Sequence, residues 1–210
     1  MSLIDKWAEY LVDATYKPEL WDSLVINKRK PHTYRAYLFL PDGSRACFHR
    51  FSPCDVSEAF THPHAWDAEF LVLKGSYEQY LFYTQTLHDE ELCPVGGFKC
   101  ITGTQYSISS PFIWHKVIPL ETTWTLMINR IPWPNTHISV RTTAGKDLEK
   151  MGEVDLRDHL RECGVYLRLL KRINTLTSIQ HALRTMNRND DIIVTNDLND
   201  KVKESFKQGK

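Results

Sequence analysis

The sequence predicts an all-β core, either a sandwich or a barrel, with helical segments before and after it. Short segments rich in aromatic and β-branched residues recur at roughly ten-residue spacing, which is typical of such folds. Turn sequences separate these segments, and no helical pattern lies between them. A parallel α/β sheet, which needs a helix after each strand, is therefore disfavoured.

The first 25 residues are predicted to form two short helices. Apolar residues recur there at steps of three and four, as one face of a helix requires: Leu3, Ile4, Trp7, Tyr10, Leu11 and Ala14. The second helix would begin in KPELWDSLVI, where Pro18 has the position of a first-turn proline. We accordingly assign residues 1–30 to an N-terminal helical segment.

The β-rich part begins at Tyr34. The segments YRAYLFL and RACFHRF flank PDGS, which predicts a hairpin with Asp-Gly at the centre of its turn. Turn residues in KGS, CPVGG, SSP and PWPN separate the later strands. Those strands are predicted at Glu69–Leu73, Tyr77–Tyr83, Phe98–Ile101, Gln105–Ile108, Ile113–Ile118, Thr123–Ile131 and His137–Arg141. The barrel is assigned to residues 31–145.

Residues 146–210 are predicted to form a C-terminal helical extension with a frayed tail. In VDLRDHLRECGVYLRLLKRI, apolar residues follow a helical period and leave charges on the other side, which predicts a packing or docking helix. Acidic residues interleave with the arginines, so a solvated face is favoured over a nucleic-acid face. The last segment, NDLNDKVKESFKQGK, is polar enough to fray.

Charge and composition favour no macromolecular partner. The 26 lysines and arginines balance 26 aspartates and glutamates, so no overall field attracts nucleic acid or an anionic membrane. Asp5, Lys6 and Glu9 interrupt the apolar N-terminus and exclude a signal peptide there. Five cysteines without a CxxC pair indicate reduced thiols. We expect a cytoplasmic protein with a small-molecule substrate and neither a nucleic-acid nor a membrane partner.

Four residues form a candidate metal site. His62 and His64 are two positions apart, so an extended chain directs both imidazoles to the same side. Glu69 begins the next apolar strand, which ends at Gly75, and His115 lies in another apolar strand, SSPFIWHKVIP. The alternative is a surface turn whose histidines face water. The two apolar strands make that alternative less favourable than a metal site.

These residues resemble the two sequence motifs of the cupin superfamily. The pattern His62-x-His64-x4-Glu69-x5-Gly75 is similar to the first motif, and the segment from Gly103 to His115 is similar to the second, with altered spacing. The resemblance covers roughly residues 34–141. It implies a double-stranded β-helix, or jelly-roll barrel, that holds a metal inside and often forms a homodimer. The implied metal ligands are His62, His64, Glu69 and His115.

Nitrogen and carboxylate ligands around an open position suit Fe(II) or Mn(II), which we favour, with Ni(II) or Zn(II) as alternatives. The resemblance implies a dioxygenase-type oxidoreductase that acts on a small polar substrate able to chelate the metal. We expect His62 and Glu69 to be catalytic. The candidates for substrate binding are His49, Gln79 and Arg130.

Three other functions stay open. A metal-dependent sugar-phosphate isomerase would need several cationic residues at the barrel mouth, but strand alternation separates Arg45 from Arg50. A metal-free epimerase would use His62 as a base together with a nearby tyrosine acid. A non-catalytic cupin would bind a metal or small ligand without turnover.

Overall fold

The computed structural model describes residues 2–85, 91–132 and 148–186. Helix α1 spans Leu3–Ala14, a single 3₁₀ turn spans Pro18–Leu20, and helix α2 spans Glu153–Met186. Within the described ranges there are ten strands. They are β1 Asp22–Ile26, β2 Thr33–Phe39, β3 Arg45–Phe51, β4 Thr61–Pro63, β5 Ala68–Lys74, β6 Ser76–Tyr83, β7 Cys93–Ile101, β8 Gln105–Ile108, β9 Ile113–Pro119 and β10 Thr123–Asn129.

The strands form two antiparallel sheets. One has the order β1-β2-β3-β10-β5-β8, and the other has the order β4-β9-β6-β7. The eight strands from β3 to β10 thus divide as in a jelly roll, while β1 and β2 extend one sheet. Val72 of the larger sheet packs with Tyr77 and Val117 of the smaller, so apolar side chains join the two. The predicted all-β core with flanking helices is confirmed.

The prediction of a second helix that begins at Pro18 is wrong. After the 3₁₀ turn at Pro18–Leu20 the chain enters β1, which pairs with β2 from Asp22 opposite Tyr37 to Ile26 opposite Thr33. Five backbone positions thereby gain partners on the edge of an existing sheet, which outweighs a weak local helical pattern. The predicted strand His137–Arg141 lies outside the described residues.

The largest apolar cluster lies on the outer face of the six-stranded sheet. Leu71 and Leu73 of β5 pack there, together with Leu126 and Ile128 of β10. Helices α1 and α2 cover this face with fully buried side chains, among them Leu11, Leu160 and Cys163. The part of α2 up to Leu170 therefore packs against the outer face of the barrel.

Contacts divide the chain into two compact units, Met1–Leu170 and Lys171–Lys210. Both sheets belong to the first unit. The domain boundaries predicted from the sequence, after residues 30 and 145, stay predictions. No described helix combines the length and apolar composition that crossing a lipid bilayer requires.

Strand alternation creates the site on the opposite, inner face of the six-stranded sheet. Arg35 of β2 and Thr125 of β10 both lie opposite His49 of β3 in the strand register. Phe70 of β5 also faces inward, since its ring contacts His64. The inner face therefore presents a row of polar groups among apolar side chains.

Candidate metal centre

Three histidine side chains converge between the sheets. Strand β4 pairs with β9 so that His62 lies opposite His115, and His64 follows β4 directly. The Nε2 atom of His115 lies 2.8 Å from Nε2 of His64 and 3.0 Å from Nε2 of His62. The predicted convergence of His62, His64 and His115 is therefore present in the structure.

The spacing of these nitrogen atoms fits a bound metal ion. With metal–nitrogen bonds of about 2.1 Å, two ligand atoms at right angles lie about 3.0 Å apart, and two at the tetrahedral angle about 3.4 Å apart. The observed separations of 2.8 and 3.0 Å agree with the right-angle arrangement. Ligand atoms of the three histidines lie within 4.8 Å of one another, so one ion can contact all three.

The protonation state of the site also fits metal binding. Burial, followed by the charge of Arg35, lowers the pKa of His62 to about 4. Burial and the neighbouring histidines hold the pKa values of His64 and His115 well below the ordinary value. All three imidazoles are thus neutral at neutral pH, and a neutral imidazole can offer a nitrogen lone pair to a metal.

A hydrogen-bonded chain behind His115 orients its ring. The carbonyl Oε1 of Gln79 lies 3.4 Å from His115 Nδ1 and accepts a hydrogen bond from the Tyr106 hydroxyl at 2.6 Å. Because a carbonyl oxygen only accepts, His115 carries its proton on Nδ1 and directs the Nε2 lone pair at the other histidines. The Tyr106 hydroxyl in turn contacts that of Tyr77 at 2.7 Å.

Glu69 does not join the three histidines. Its Oε2 accepts hydrogen bonds from the backbone N–H groups of Leu3 at 2.8 Å and Ile4 at 3.3 Å. Since Phe70 faces inward, alternation turns Glu69 to the helix-covered face of the sheet, where it caps α1. The predictions that Glu69 is a metal ligand and a catalytic residue are therefore corrected.

The three residues predicted to bind substrate occupy different places. His49 is buried and lines the cavity beside the histidines. Gln79 is fully buried and contacts His115 from behind. Arg130 is exposed and lines a separate surface groove with Asp67 and Glu69, so the prediction for Arg130 is corrected. It follows β10, beyond the inner face of the sheet.

Arg35 is not among the residues predicted to bind substrate, although it lines the same cavity as the three histidines. Its Nε donates a hydrogen bond to His49 Nε2 at 2.9 Å. The signal in the sequence was weak: Arg35 alternates with apolar neighbours in YRAYLFL, but alternation alone does not tell which face is the inner one.

The cavity beside the histidines is small and largely aromatic. Its volume is about 80 Å³, well below the roughly 300–1,000 Å³ of pockets for drug-sized ligands. Polar groups line one part of it: Arg35, His49, His62, His64, His115, Thr33, Thr125, Tyr77 and Tyr106. Apolar side chains, including Phe51, Phe60 and Phe70, line the rest. The cavity suits a compact molecule with both polar and apolar parts.

Comparisons with known proteins give distant structural similarities. No family model and no curated protein matches the sequence. A structure of Fe(II)-HppE with the alternative substrate (S)-1-HPP has 13% identity and a TM-score of 0.42, over 54% of this chain and 57% of that chain. Hydroxypropylphosphonic acid epoxidase from S. wedmorenis has 14% identity and a TM-score of 0.42, over 54% and 56%. A protein of unknown function from Streptococcus pyogenes has 14% identity and a TM-score of 0.35, over 50% and 80%.

The chain spans just over half the length of the first two of these structures. At this similarity no activity is transferred to the present protein. What it could do follows from its own site, a trio of neutral histidines in a small cavity inside a jelly-roll barrel.

Proposed function

We propose that the protein is a metal-dependent cupin, an oxidoreductase of the dioxygenase type that acts on a small polar substrate able to chelate the metal. The observation that carries this proposal is the convergence of three imidazole Nε2 atoms, with contacts of 2.8 and 3.0 Å, beside a cavity within a jelly-roll barrel. Fe(II) or Mn(II) is the favoured metal, with Ni(II) and Zn(II) as alternatives.

The proposed metal ligands are His62, His64 and His115. Three imidazoles around an open position suit Fe(II), Mn(II) and Ni(II) as well as catalytic Zn(II), so the preference for Fe(II) or Mn(II) is tested by metal analysis. When bound, such an ion supplies open coordination positions for oxygen and a chelating substrate, together with Lewis acidity.

Other residues of the chain would position and enclose the substrate. Phe51, Phe60 and Phe70 give the cavity an apolar wall that keeps water away from the reacting atoms. Gln79 holds the ring of His115 through Nδ1. Burial raises the pKa of Tyr106, so its hydroxyl keeps its proton at neutral pH and continues to donate to Gln79.

Metal analysis of the purified protein tests the ligand set. We expect one divalent ion per chain in the unmodified protein, and loss of that ion in His115→Ala and His62→Ala. Glu69→Gln is the matched control and should retain the ion, because Glu69 lies on the other face of the sheet. Unchanged metal content in His115→Ala, in a variant with normal circular dichroism, would contradict the assignment.

Oxygen uptake tests the reaction class. Chelating substrates should consume oxygen in the presence of Fe(II), and consumption should disappear in the two histidine variants. A protein that retains its metal but consumes no oxygen with any chelating substrate would contradict the dioxygenase assignment. Such a result would favour an isomerase or a non-catalytic binding protein.

A metal-free epimerase is a second candidate because Tyr77 and Tyr106 line the same cavity as His62. A tyrosine acid close to a histidine base is what such an enzyme needs. This alternative predicts activity in protein treated with a chelator, whereas the metal-dependent proposal predicts none.

The assembly of the protein also stays a proposal. The cupin resemblance implies a homodimer, and the balanced charge of the chain favours a small-molecule substrate over nucleic-acid or membrane partners. Sedimentation equilibrium at micromolar concentration would test the dimer directly, since a single species of monomer mass would contradict it.

A further inference from the structure

We propose that the substrate is a small organic oxyanion and that Arg35, held in place by His49, is the residue that binds its anionic group. This inference rests on the proposed function, because it names the substrate class of the same cavity. Four observations support it: the position of Arg35, its lack of a carboxylate partner among the described residues, the charge of the site and the size of the cavity.

His49 fixes the side chain of Arg35. The Arg35 Nε–H donates to His49 Nε2 at 2.9 Å, so this nitrogen of His49 must carry the lone pair. The proton of His49 then lies on Nδ1, which is 3.3 Å from the Thr125 hydroxyl. Burial, followed by the charge of Arg35, holds the pKa of His49 well below its ordinary value, which preserves this neutral acceptor. His49 is thus a positioning residue for Arg35.

The rest of the guanidinium group is available to a ligand. One of its five N–H donors is used by His49, and the terminal nitrogens have no protein hydrogen bond among the described residues. Two parallel N–H groups of a guanidinium match the two oxygens of a carboxylate, or two oxygens of a phosphate. Arg35 lines the cavity that contains the histidines, so an anion bound there would lie beside them.

Arg35 differs from the paired cations of the protein surface. Lys6, Lys30 and Lys150 each have a carboxylate partner within 2.8 Å. Within the described part of the chain, no carboxylate lies within ion-pair distance of Arg35, which is half-buried in the cavity wall, where burial lowers the pKa of its guanidinium. Partial removal of a cation from water without a counter-ion is unfavourable, and a bound anion would offset that cost.

The charge balance of the site favours the same ligand. Glu69 is turned away, so the ligand set would consist of three neutral imidazoles, which leave the charge of a divalent ion uncompensated. The positive charge of Arg35 lies in the same region, because Arg35 lines the same cavity as the three histidines. An oxyanion placed between Arg35 and the histidines would neutralise part of this charge.

The cavity limits the organic part of the ligand. A volume of about 80 Å³ admits a molecule of only a few carbon atoms beside its anionic group. Phe51, whose ring stacks on His49 at a centroid distance of 5.4 Å, and Phe60, which stacks on His62 at 4.7 Å, provide apolar contacts for that part. A short-chain carboxylate or a small phosphate-bearing compound meets both requirements.

The test measures ligand binding by absorption spectroscopy. The protein is loaded with Co(II), and its visible spectrum is followed during titration with propionate, inorganic phosphate or neutral propionamide. We expect propionate or phosphate to change the spectrum and propionamide to have little effect. The anion that binds more tightly, propionate or phosphate, shows whether the site prefers a carboxylate or a phosphate group. Equal responses to propionate and propionamide would overturn the proposal.

Two arginine variants make the test specific. Arg35→Gln should bind the anion at least tenfold more weakly, as expected for loss of a charged hydrogen-bond pair, with unchanged Co(II) content. Arg50→Gln is the matched control, since Arg50 lies on the same sheet over the ring of Tyr34 and does not line the cavity. Unweakened binding in a folded Arg35→Gln variant would overturn the proposal.

A metal-independent arm separates this inference from the proposed function. Thermal unfolding of the metal-free protein is measured with propionate and with phosphate, for the unmodified protein and for Arg35→Gln. An increase in Tm that depends on Arg35 would support the anion site even if no metal binds. If the metal-free and the Co(II)-loaded proteins both show no Arg35-dependent response to either anion, the inference fails while the metal site stands on its own test.

Discussion

The carboxylate of Glu69 accepts a hydrogen bond from the backbone N–H of Leu3 at 2.8 Å, across 66 positions of sequence. A second bond, from Ile4 at 3.3 Å, means that Glu69 satisfies two of the free N–H groups that open helix α1. Its negative charge also lies at the positive end of the helix dipole. A residue that matches a metal-ligand motif in sequence thus serves to attach a helix to the barrel.

Glu69→Ala should lower the free energy of unfolding by about 1–2 kcal/mol, the usual cost of losing a helix cap. Glu69→Gln should lower it less, because an amide oxygen still accepts the bonds from Leu3 and Ile4. Urea denaturation followed by circular dichroism measures both effects. Neither variant should change the metal content, and loss of the metal with retained stability would contradict the capping role.

The strand positions were largely predictable because turns and alternation are local properties. The segments around Gly75 and at PDGS were predicted as reversals, and the structure has positive φ angles at Gly43 and Gly75. β1 was not predicted because its five residues, Asp22–Ile26, form a strand through their pairing with β2. A strand that forms mainly through pairing with its neighbour need not have a recognisable sequence pattern of its own.

The site was predictable in part. His62 and His64 were found because an extended chain directs side chains two positions apart to the same side, and His115 because it lies in an apolar strand downstream of that pair. The register of β4 with β9 brings them together. The face of β5 was assigned wrongly, since Phe70 packs inward on Tyr106 with a centroid distance of 4.8 Å and turns Glu69 outward. Which face of a strand points into the barrel depends on packing between residues that are distant in sequence.

Gly75→Ala should lower the free energy of unfolding by about 2 kcal/mol or more. Gly75 has a φ of +88°, and an added Cβ atom would lie 2.7 Å from Thr123 Oγ1 and 2.8 Å from the Thr122 carbonyl oxygen. Both backbone strain and a close contact oppose the substitution. Gly96→Ala is the matched control, because nothing lies within 4 Å of its Cβ position. Chemical denaturation should show a clear difference, and equal stabilities would contradict the reported turn geometry.

The buried His159 of α2 should make the protein less stable in acid. Burial lowers the pKa of His159 to about 4, from an ordinary value of 6.5. Between these two values the unfolded chain binds more protons than the folded protein, so stability falls as pH falls from 6.5 towards 4 and levels off below that range. The shift corresponds to a loss of roughly 3 kcal/mol at full effect.

His159→Gln should flatten this part of the stability profile, since glutamine does not titrate. Its side-chain amide can still donate to the Phe48 carbonyl, which His159 Nε2 now contacts at 3.3 Å. The free energy of unfolding, measured in urea from pH 4.5 to 7.5 on metal-free protein, provides the comparison. An unchanged slope in the variant would show that His159 does not contribute to the acid sensitivity.

Gln79→Leu should weaken metal binding by about 10–100-fold while the three proposed ligands stay in place. The substitution removes the oxygen that accepts from His115 Nδ1, so the ring loses the bond that directs its Nε2 lone pair. It also leaves the buried Tyr106 hydroxyl without its acceptor, so some loss of stability is expected as well. Tyr80→Phe, on the next position of β6, is the control because Tyr80 is exposed and its hydroxyl donates to Glu78, away from His115. Competition with a chelator of known affinity measures the metal dissociation constants. If Gln79→Leu bound the metal as tightly as the unmodified protein, the orienting role of Gln79 would be wrong. A contact that is only structural would alter stability without altering metal affinity.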